Sequence, residues 1–452
     1  MTGERLNGAT VNGATVRGAT VRGATVNGNA PAGARIVRLA NFVTPTSGGL
    51  RTALRELGRG YLAAGHRPVL VVPGAAHRDE ETDQGRVVTL PGAVLPGTGG
   101  YRVLRHRAEL ARLLEDLAPD RLEVSDRATL RWTGGWARRH GVPTAMVSHE
   151  SLDGLLRTWG LPPGTARRLA DRHNRRTAQE FERIVCTTDW AAAEFRRIGV
   201  PVEQAPLGVD LERCHPGNRS AALRASLAGR DERLVLMCSR LSPEKRPATA
   251  LAAVAELNRL GVPTRLVVAG DGPLRPRLTA RAAAQGLPVR FLGHVADRAL
   301  LAALLATADA AIAPGPIETF GLAALEALAS GTPVAVSPSS ALPGVVGSGG
   351  AVATADTPAA FAEALCRLFT RTDIRSTARA RAQHFSWAAA TQAFLRVHGL
   401  ADVAVGRFDT RRGEAATTTV AAGRDDARAA AADLGDGRAV EPAHGATRTR
   451  GW

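Results

Sequence analysis

The sequence has few of the residues that would cross-link it, anchor it in a membrane or stack on nucleic-acid bases. Its 452 residues include four cysteines and no Cys-x-x-Cys pair, which indicates neither a disulfide framework nor a zinc site and fits a reducing compartment. No apolar N-terminal segment predicts a signal peptide, and no apolar run approaches the roughly 20 residues that span a bilayer. We therefore expect a cytoplasmic protein that is not integral to the membrane.

Lysine is also nearly absent. Lys245 is the only lysine, and the other 57 of the 58 lysine and arginine residues are arginines. The net charge of +16 raises the alternative of a nucleic-acid-binding protein. That alternative is disfavoured because the charge is spread along the chain and aromatic residues, which would interleave with the arginines, total only 4%.

The chain divides into a central body and two low-complexity tails. Residues 1–33 contain four copies of a Gly-Ala-Thr-Val unit, and residues 401–452 are rich in Ala, Gly, Thr, Arg and Asp, so both are predicted to be disordered. Within the body, we predict an N-terminal domain at 34–204, a linker at 205–232 and a C-terminal domain at 233–384. The segment 385–400 is predicted to be a helix that crosses back to the N-terminal domain.

Short apolar runs alternate with amphipathic stretches in both halves, and this pattern indicates parallel sheets with right-handed crossovers. The fold class is therefore α/β, with two Rossmann-like domains facing one cleft. In such folds, ligands bind at the carboxyl ends of the strands. The predicted strands are Arg35–Ala40, Val69–Val72, Val87–Leu90, Thr144–Ser148, Arg183–Cys186, Leu234–Cys238, Leu266–Ala269, Val289–Leu292, Ala310–Ala313 and Pro333–Ser337.

Two glycine-containing turns follow predicted strands. Gly48 and Gly49 open a helix whose free N–H groups suit a phosphate, although a simple tight turn explains them equally well. In the second half, Ala269-Gly-Asp-Gly-Pro273 leaves a strand. Its glycines serve packing alone, or the turn lines the cleft with Asp271.

Two charged segments also follow strands of the second half. Arg240 and Lys245 lie in one loop. Their guanidinium and ammonium groups either bind a diphosphate or belong to a solvated surface loop, and we favour the diphosphate site. Glu318 and Glu326 flank a predicted helix start at Gly321. One carboxylate there suits a sugar ring and the other ribose hydroxyls, with helix N–H groups facing a phosphate between them.

His149 ends a strand of the first half, where it either donates a hydrogen bond into the cleft or serves as a structural histidine. Taken together, these segments and Phe291-Leu-Gly-His-Val295 resemble the family 4 retaining glycosyltransferases of the GT-B fold. The resemblance covers residues 35–400. Within the family, the chain looks most like bacterial mannosyltransferases that act on lipids or glycolipids.

The resemblance implies a role for each matching residue. Arg240 and Lys245 would neutralise the donor diphosphate, Glu318 would contact the donor sugar, and His149 would bond the sugar 6-hydroxyl and assist the reaction. Glu326 would bind ribose, and Asp271 would line the cleft. The remaining donor-site residues are the diphosphate loop (Gly48, Gly49), the stretch near the base (Gly293, His294, Val295) and the segment whose amides face sugar and phosphate (Thr319, Phe320, Gly321, Leu322).

The chain departs from the family pattern at two positions. Thr319 stands where many members have glycine, and Leu207 replaces the asparagine before Gly-Val-Asp. Neither change removes a charged group. The resemblance therefore still implies a retaining hexosyltransferase, with GDP-mannose as the expected donor, and because no Asp-x-Asp motif flanked by an apolar strand is evident we expect no obligatory metal or other cofactor. A UDP-glucose-dependent transferase acting on a small metabolite stays open, as do a sugar-nucleotide 2-epimerase and a non-catalytic sugar-nucleotide sensor.

The acceptor side carries a cluster of arginines between residues 165 and 176. The cluster is either a solvated helix face or a contact with anionic lipid, since a basic residue near such a surface gains about 1 kcal/mol. We expect a lipid acceptor and peripheral contact with the inner face of the membrane. The residues concerned are Arg167, Arg168, Arg172, Arg175 and Arg176.

Overall fold

The computed structural model describes residues 33–43, 48–95, 101–149, 151–158 and 160–401. Both predicted tails, apart from Gly33 and Ala401, lie outside these residues. No helix in the described ranges is long and apolar enough to cross a membrane.

The first half is built on an eight-stranded sheet. Its strands and those of a small hairpin (β5, β6) are β1 Arg35–Leu39, β2 Arg67–Gly74, β3 Arg78–Thr82, β4 Gly85–Pro91, β5 Ala93–Val94, β6 Arg102–Val103, β7 Arg121–Val124, β8 Thr144–Ser148, β9 Arg183–Cys186 and β10 Glu203–Gln204. Its helices are α1 Gly49–Ala63, α2 Arg107–Leu117, α3 Trp132–His140, α4 Leu152–Thr158, α5 Pro163–Glu180 and α6 Asp189–Arg196.

The second half is built on a six-stranded sheet. Its strands are β11 Arg233–Cys238, β12 Thr264–Ala269, β13 Val289–Gly293, β14 Ala310–Ala313, β15 Val334–Val336 and β16 Gly350–Val352. The helices are α7 Ala221–Leu227, α8 Pro247–Arg259, α9 Arg275–Ala284, α10 Arg298–Thr307, α11 Leu322–Ala329, α12 Leu342–Val346, α13 Pro358–Phe369, α14 Ile374–Gln383 and α15 Trp387–Val397.

Strand order places a switch point in each sheet. The second sheet runs β13-β12-β11-β14-β15-β16 and is parallel throughout. The first runs β10-β9-β8-β7-β1-β2-β4-β3, with only β3 antiparallel. The order reverses beside β11 and β14 in one sheet and beside β1 and β7 in the other. Ligands of doubly wound sheets bind in the crevice at such points.

Apolar strands and helix faces hold each half together. Most strands are buried along almost their whole length, as is expected for a sheet covered by helices on both faces. Helix α1 buries Ala53, Leu54, Leu57 and Tyr61 at helical spacing, and it begins at Gly49, where the sequence predicts that Gly48 and Gly49 open a helix. Strand β3 is exposed at every residue, and the predicted apolar runs did not include it.

Two stretches of chain between the halves run side by side. The backbone N–H of Val209 donates to the carbonyl of Phe385 at 3.0 Å. A side chain at Gly208 would place its Cβ 2.4 Å from the backbone nitrogen of Trp387, so the close approach requires glycine. Helix α15 then packs on α1 in the first half. The segment 205–232, predicted as a linker, also contains α7, whose Arg224 bonds Asp309 of the second half.

A buried ionic cluster joins α15 to the first sheet. Glu123 of β7 accepts hydrogen bonds from Arg38 Nε at 3.1 Å and Tyr61 Oη at 2.8 Å, and His398 Nε2 lies 3.2 Å away. Burial alone would raise the pKa of Glu123, but the Arg38 charge and these hydrogen bonds hold it at about 2. The carboxylate is therefore charged inside the protein and fully paired.

Candidate functional site

The two switch points face each other, and the contacts between the halves lie at the predicted site. The leucine side chain of Leu322 approaches within 3.7 Å of the Cβ position of Gly49. The Thr319 hydroxyl donates to the backbone carbonyl of His149, and the Thr188 hydroxyl donates to the carbonyl of Thr319 at 3.0 Å. The cleft is thus bounded by both halves.

Lys245 and Glu318 form an ion pair at the second-half switch point. Lys245 ends a short 3-10 helix after β11, and Glu318 lies in the loop after β14, so the pairing of these neighbouring strands brings the two together. The ammonium donates to Glu318 Oε1, and both side chains are only 21–25% exposed. The carboxylate holds the ammonium in place and leaves two of its three N–H donors for another ligand.

Arg240 reaches from the same loop to the first half. Its Nη1 donates to Tyr101 Oη and its Nη2 to Glu244 Oε1, both at 2.7 Å. Two cationic side chains therefore share one end of the cleft, each paired with a carboxylate of the second half. Sequence reasoning missed Tyr101, which carries no local motif.

Helix α11 presents its N-terminus to the cleft. Gly321 precedes it with a φ of +74°, and a Cβ there would lie 2.2 Å from Leu342, so glycine is needed on both counts. No side chain caps this helix start, which leaves N–H groups near Leu322 available for an anion. Phe320 instead packs edge-on against Phe385 in the core.

His149 is neutral in this setting. Burial lowers its pKa to about 4, and its Nε2 lies 3.1 Å from the Ser125 hydroxyl. A neutral imidazole at the end of β8 can donate one hydrogen bond and accept another. It lies beside the switch point of the first sheet.

Glu326 sits one turn inside α11, away from the Lys245 pair. It lines a pocket between the halves together with Thr52 of α1, Asp210, Arg213 and Arg298. Burial raises its pKa to about 7, although the two arginines oppose that shift. Near neutral pH, this carboxyl therefore exchanges between an acceptor-only form and a form that can also donate.

His294 and Val295 line a different pocket, between α7 and α10. This pocket and the one lined by Glu326 share no lining residue among those described. Gly293 lies at the end of β13, where its carbonyl accepts from Gly270 at 2.7 Å.

The Gly-Asp-Gly turn is explained by packing. A Cβ at Gly270 would lie 1.9 Å from the carbonyl oxygen of Ser239, and one at Gly272 would lie 2.5 Å from that of Leu241. The turn therefore supports the loop that carries Arg240. Asp271 is exposed and pairs with Arg275 at 2.7 Å.

No group of three or more His, Cys, Asp or Glu side chains suited to a metal occurs in the described ranges. Gly48 and Gly49 precede and open α1. The five arginines of the acceptor-side cluster lie on α5, where all are exposed.

Known protein families match both halves of the chain. The family described as "Glycosyl transferase 4-like domain" matches residues 48–208, and "Glycosyl transferases group 1" matches residues 219–385. Sucrose-phosphate synthase from Thermosynechococcus elongatus shares the fold with a TM-score of 0.66 at 21% identity, covering 81% of this chain and 98% of that one. Solved glycosyltransferases thus have the same two-domain architecture.

Two curated relatives are similar in sequence. A GDP-mannose-dependent alpha-(1-6)-phosphatidylinositol dimannoside mannosyltransferase of Mycobacterium tuberculosis is 45% identical over 381 residues, which is 83% of this chain and 99% of that protein. A D-inositol 3-phosphate glycosyltransferase of Saccharomonospora viridis is 34% identical over 291 residues, 58% of this chain and 66% of that protein. This chain belongs to the GT-B glycosyltransferases and is a hexosyltransferase.

Proposed function

We propose that the protein transfers mannose from GDP-mannose to a hydroxyl of a glycolipid, with retention of configuration and without an obligatory metal. The observation that carries the proposal is the 45% identity to a GDP-mannose-dependent phosphatidylinositol dimannoside mannosyltransferase along nearly the whole of that relative. The charged groups in the cleft suit this chemistry.

The proposed mechanism starts with departure of the nucleoside diphosphate. Negative charge then grows on the β-phosphate, where Arg240, Lys245 and the N–H groups of α11 would stabilise it as preorganised donors. The acceptor hydroxyl would attack the anomeric carbon from the face that the diphosphate leaves, and a β-phosphate oxygen would take its proton. Glu318 would orient Lys245 and contact the sugar, and neutral His149 would hydrogen-bond it.

Donor identity is tested by measuring the melting temperature with GDP-mannose, UDP-glucose and other nucleotide sugars, because a ligand of the folded state raises it. We expect GDP-mannose to give the largest shift and Lys245→Ala to abolish it. Arg259→Ala, which removes a cation from an exposed ion pair on α8, is the matched control. A larger shift with UDP-glucose would replace the proposed donor.

Transfer is tested with radiolabelled GDP-mannose and phosphatidylinositol mannosides, in the presence and absence of EDTA. We expect labelled glycolipid of α configuration and a rate that EDTA leaves unchanged. Loss of activity in EDTA that Mg²⁺ restores would contradict metal-free transfer. A β-linked product would contradict retention.

We also propose that α5 contacts anionic lipid. Its exposed arginines share the helix with Leu169, which is 46% exposed, so the helix offers both charge and an apolar contact. Sedimentation with vesicles containing phosphatidylinositol tests this surface. We expect Arg167, Arg168 and Arg172→Ser together to reduce binding strongly at low salt. The same change at exposed Arg259, Arg277 and Arg281 should have little effect; equal losses would indicate only net charge.

A further inference from the structure

Tyr101 of the first half contacts the diphosphate-site arginine of the second half. Its hydroxyl accepts from Arg240 Nη1 at 2.7 Å, and the guanidinium carbon lies 5.4 Å from the centre of its ring. Tyr101 thus offers Arg240 both a hydrogen bond and an aromatic ring. The contact joins segments 139 residues apart in the sequence.

The Tyr101 ring is itself held in place by the first half. Phe42 meets it edge-on, with ring centroids 6.1 Å apart and planes at 77°. Phe42 has a φ of +61°, a left-handed conformation that residues other than glycine seldom adopt, and its N–H donates to the Arg102 carbonyl at 3.4 Å. Backbone strain of this kind is concentrated at functional sites.

The Arg240 side chain therefore contacts both halves of the protein. Tyr101 and Glu244 each take one of the five guanidinium N–H donors, which leaves three for phosphate oxygens. A long arginine side chain without such partners has many rotamers to lose when a ligand binds. We propose that Tyr101 is a positioning residue that orients Arg240 toward the donor diphosphate, so that the acceptor-side half contributes to donor binding. This inference rests on the proposed function.

Calorimetric titration with GDP and with GMP tests the role. Tyr101→Phe keeps the ring but removes the hydrogen bond, and we expect GDP to bind about tenfold more weakly, as for the loss of one hydrogen bond to a charged group. Tyr101→Ala, which also removes the ring, should weaken GDP binding further. GMP lacks the β-phosphate, on which Arg240 is proposed to act. The affinity for GMP should therefore change by less than about twofold in both variants.

Two controls separate positioning from folding. Tyr61→Phe makes the same chemical change at the only other tyrosine, inside the core, and should lower the melting temperature without changing GDP affinity. In an Arg240→Ala background, Tyr101→Phe should cause no further loss of GDP affinity, because the two side chains act as one unit.

The outcomes distinguish the two proposals. Failure of the unaltered protein to bind GDP would overturn the donor assignment itself. If the unaltered protein binds GDP and Tyr101→Phe binds it equally well or more tightly, the positioning role is wrong. Equal losses for GDP and GMP would also overturn it, because they would indicate a general effect on the cleft.

Discussion

The side-chain hydroxyl of Thr319 donates a hydrogen bond to the backbone carbonyl of His149. Thr319 belongs to the loop after β14, and His149 follows β8, so this bond crosses the cleft from one half to the other. The backbone carbonyl of Thr319 also accepts from Thr188 at 3.0 Å. The threonine that departs from the family's usual glycine therefore supplies an additional contact between the halves.

Replacing Thr319 with valine keeps its shape but removes the hydroxyl. We expect kcat to fall by about tenfold while the KM for the donor changes less, because one hydrogen bond that aligns the two halves is lost. Thr319→Ser retains the hydroxyl and should stay near the unaltered rate. Steady-state kinetics provides the comparison, and equal rates for the serine and valine variants would show that the bond has no role in turnover.

Sequence and topology together account for much of this region. The runs Thr144–Ser148, Arg183–Cys186 and Ala310–Ala313 were predicted as strands and have those bounds in the structure, because buried parallel strands are continuous apolar runs. The proximity of Lys245 to Glu318 follows from the pairing of β11 with β14. Both residues lie at the carboxyl ends of these strands.

Other features could not be read from local sequence. Strand β7 was missed because Glu123 interrupts its apolar run, and the partners that allow this carboxylate to be buried come from three other elements. Tyr101 lies just before the two-residue strand β6 and matches no sequence motif. Its approach to Arg240 depends on how the two halves close, which no periodicity records.

The titration of His149 should not contribute to the pH dependence of activity near neutral pH. Its pKa of about 4 means that the ring is neutral across pH 6–8. We expect His149→Ala to lower kcat/KM by about tenfold, as for the loss of one hydrogen bond to the sugar, with no change in the shape of the pH–rate profile over that range. An inflection near pH 6.5 that is present in the unaltered enzyme and lost in this variant would contradict the assignment of a neutral ring.

Glu326 should make the unliganded protein less stable as pH rises. Its folded-state pKa of about 7 exceeds the ordinary value of 4.5, so the folded protein retains a proton that the unfolded chain releases. The stability it contributes is complete below about pH 4.5 and is lost as pH rises through 7. This contribution to the free energy of unfolding is about 3 kcal/mol, because each unit of pKa difference corresponds to about 1.4 kcal/mol.

The measurement is urea unfolding at pH 5 and pH 8 for the unaltered protein and Glu326→Gln. The glutamine cannot ionise, so the difference between the two proteins isolates this carboxyl from the other titrating groups. We expect the variant to lose less stability between the two pH values. Parallel losses would show that Glu326 has an ordinary pKa.

Removing the Glu123 charge should destabilise the fold strongly. In Glu123→Gln, Arg38 stays buried without its counter-ion, and such uncompensated charges cost about 3–5 kcal/mol. Glu180→Gln breaks an exposed pair with Arg138 at 3.0 Å, which is worth at most about 1 kcal/mol, and is the matched control. Urea unfolding at pH 7 gives both free energies. Because His398 connects α15 to this cluster, we also expect faster amide exchange in α15 of the Glu123 variant. Equal unfolding midpoints for the two variants would mean that the buried cluster contributes no more to stability than a surface ion pair.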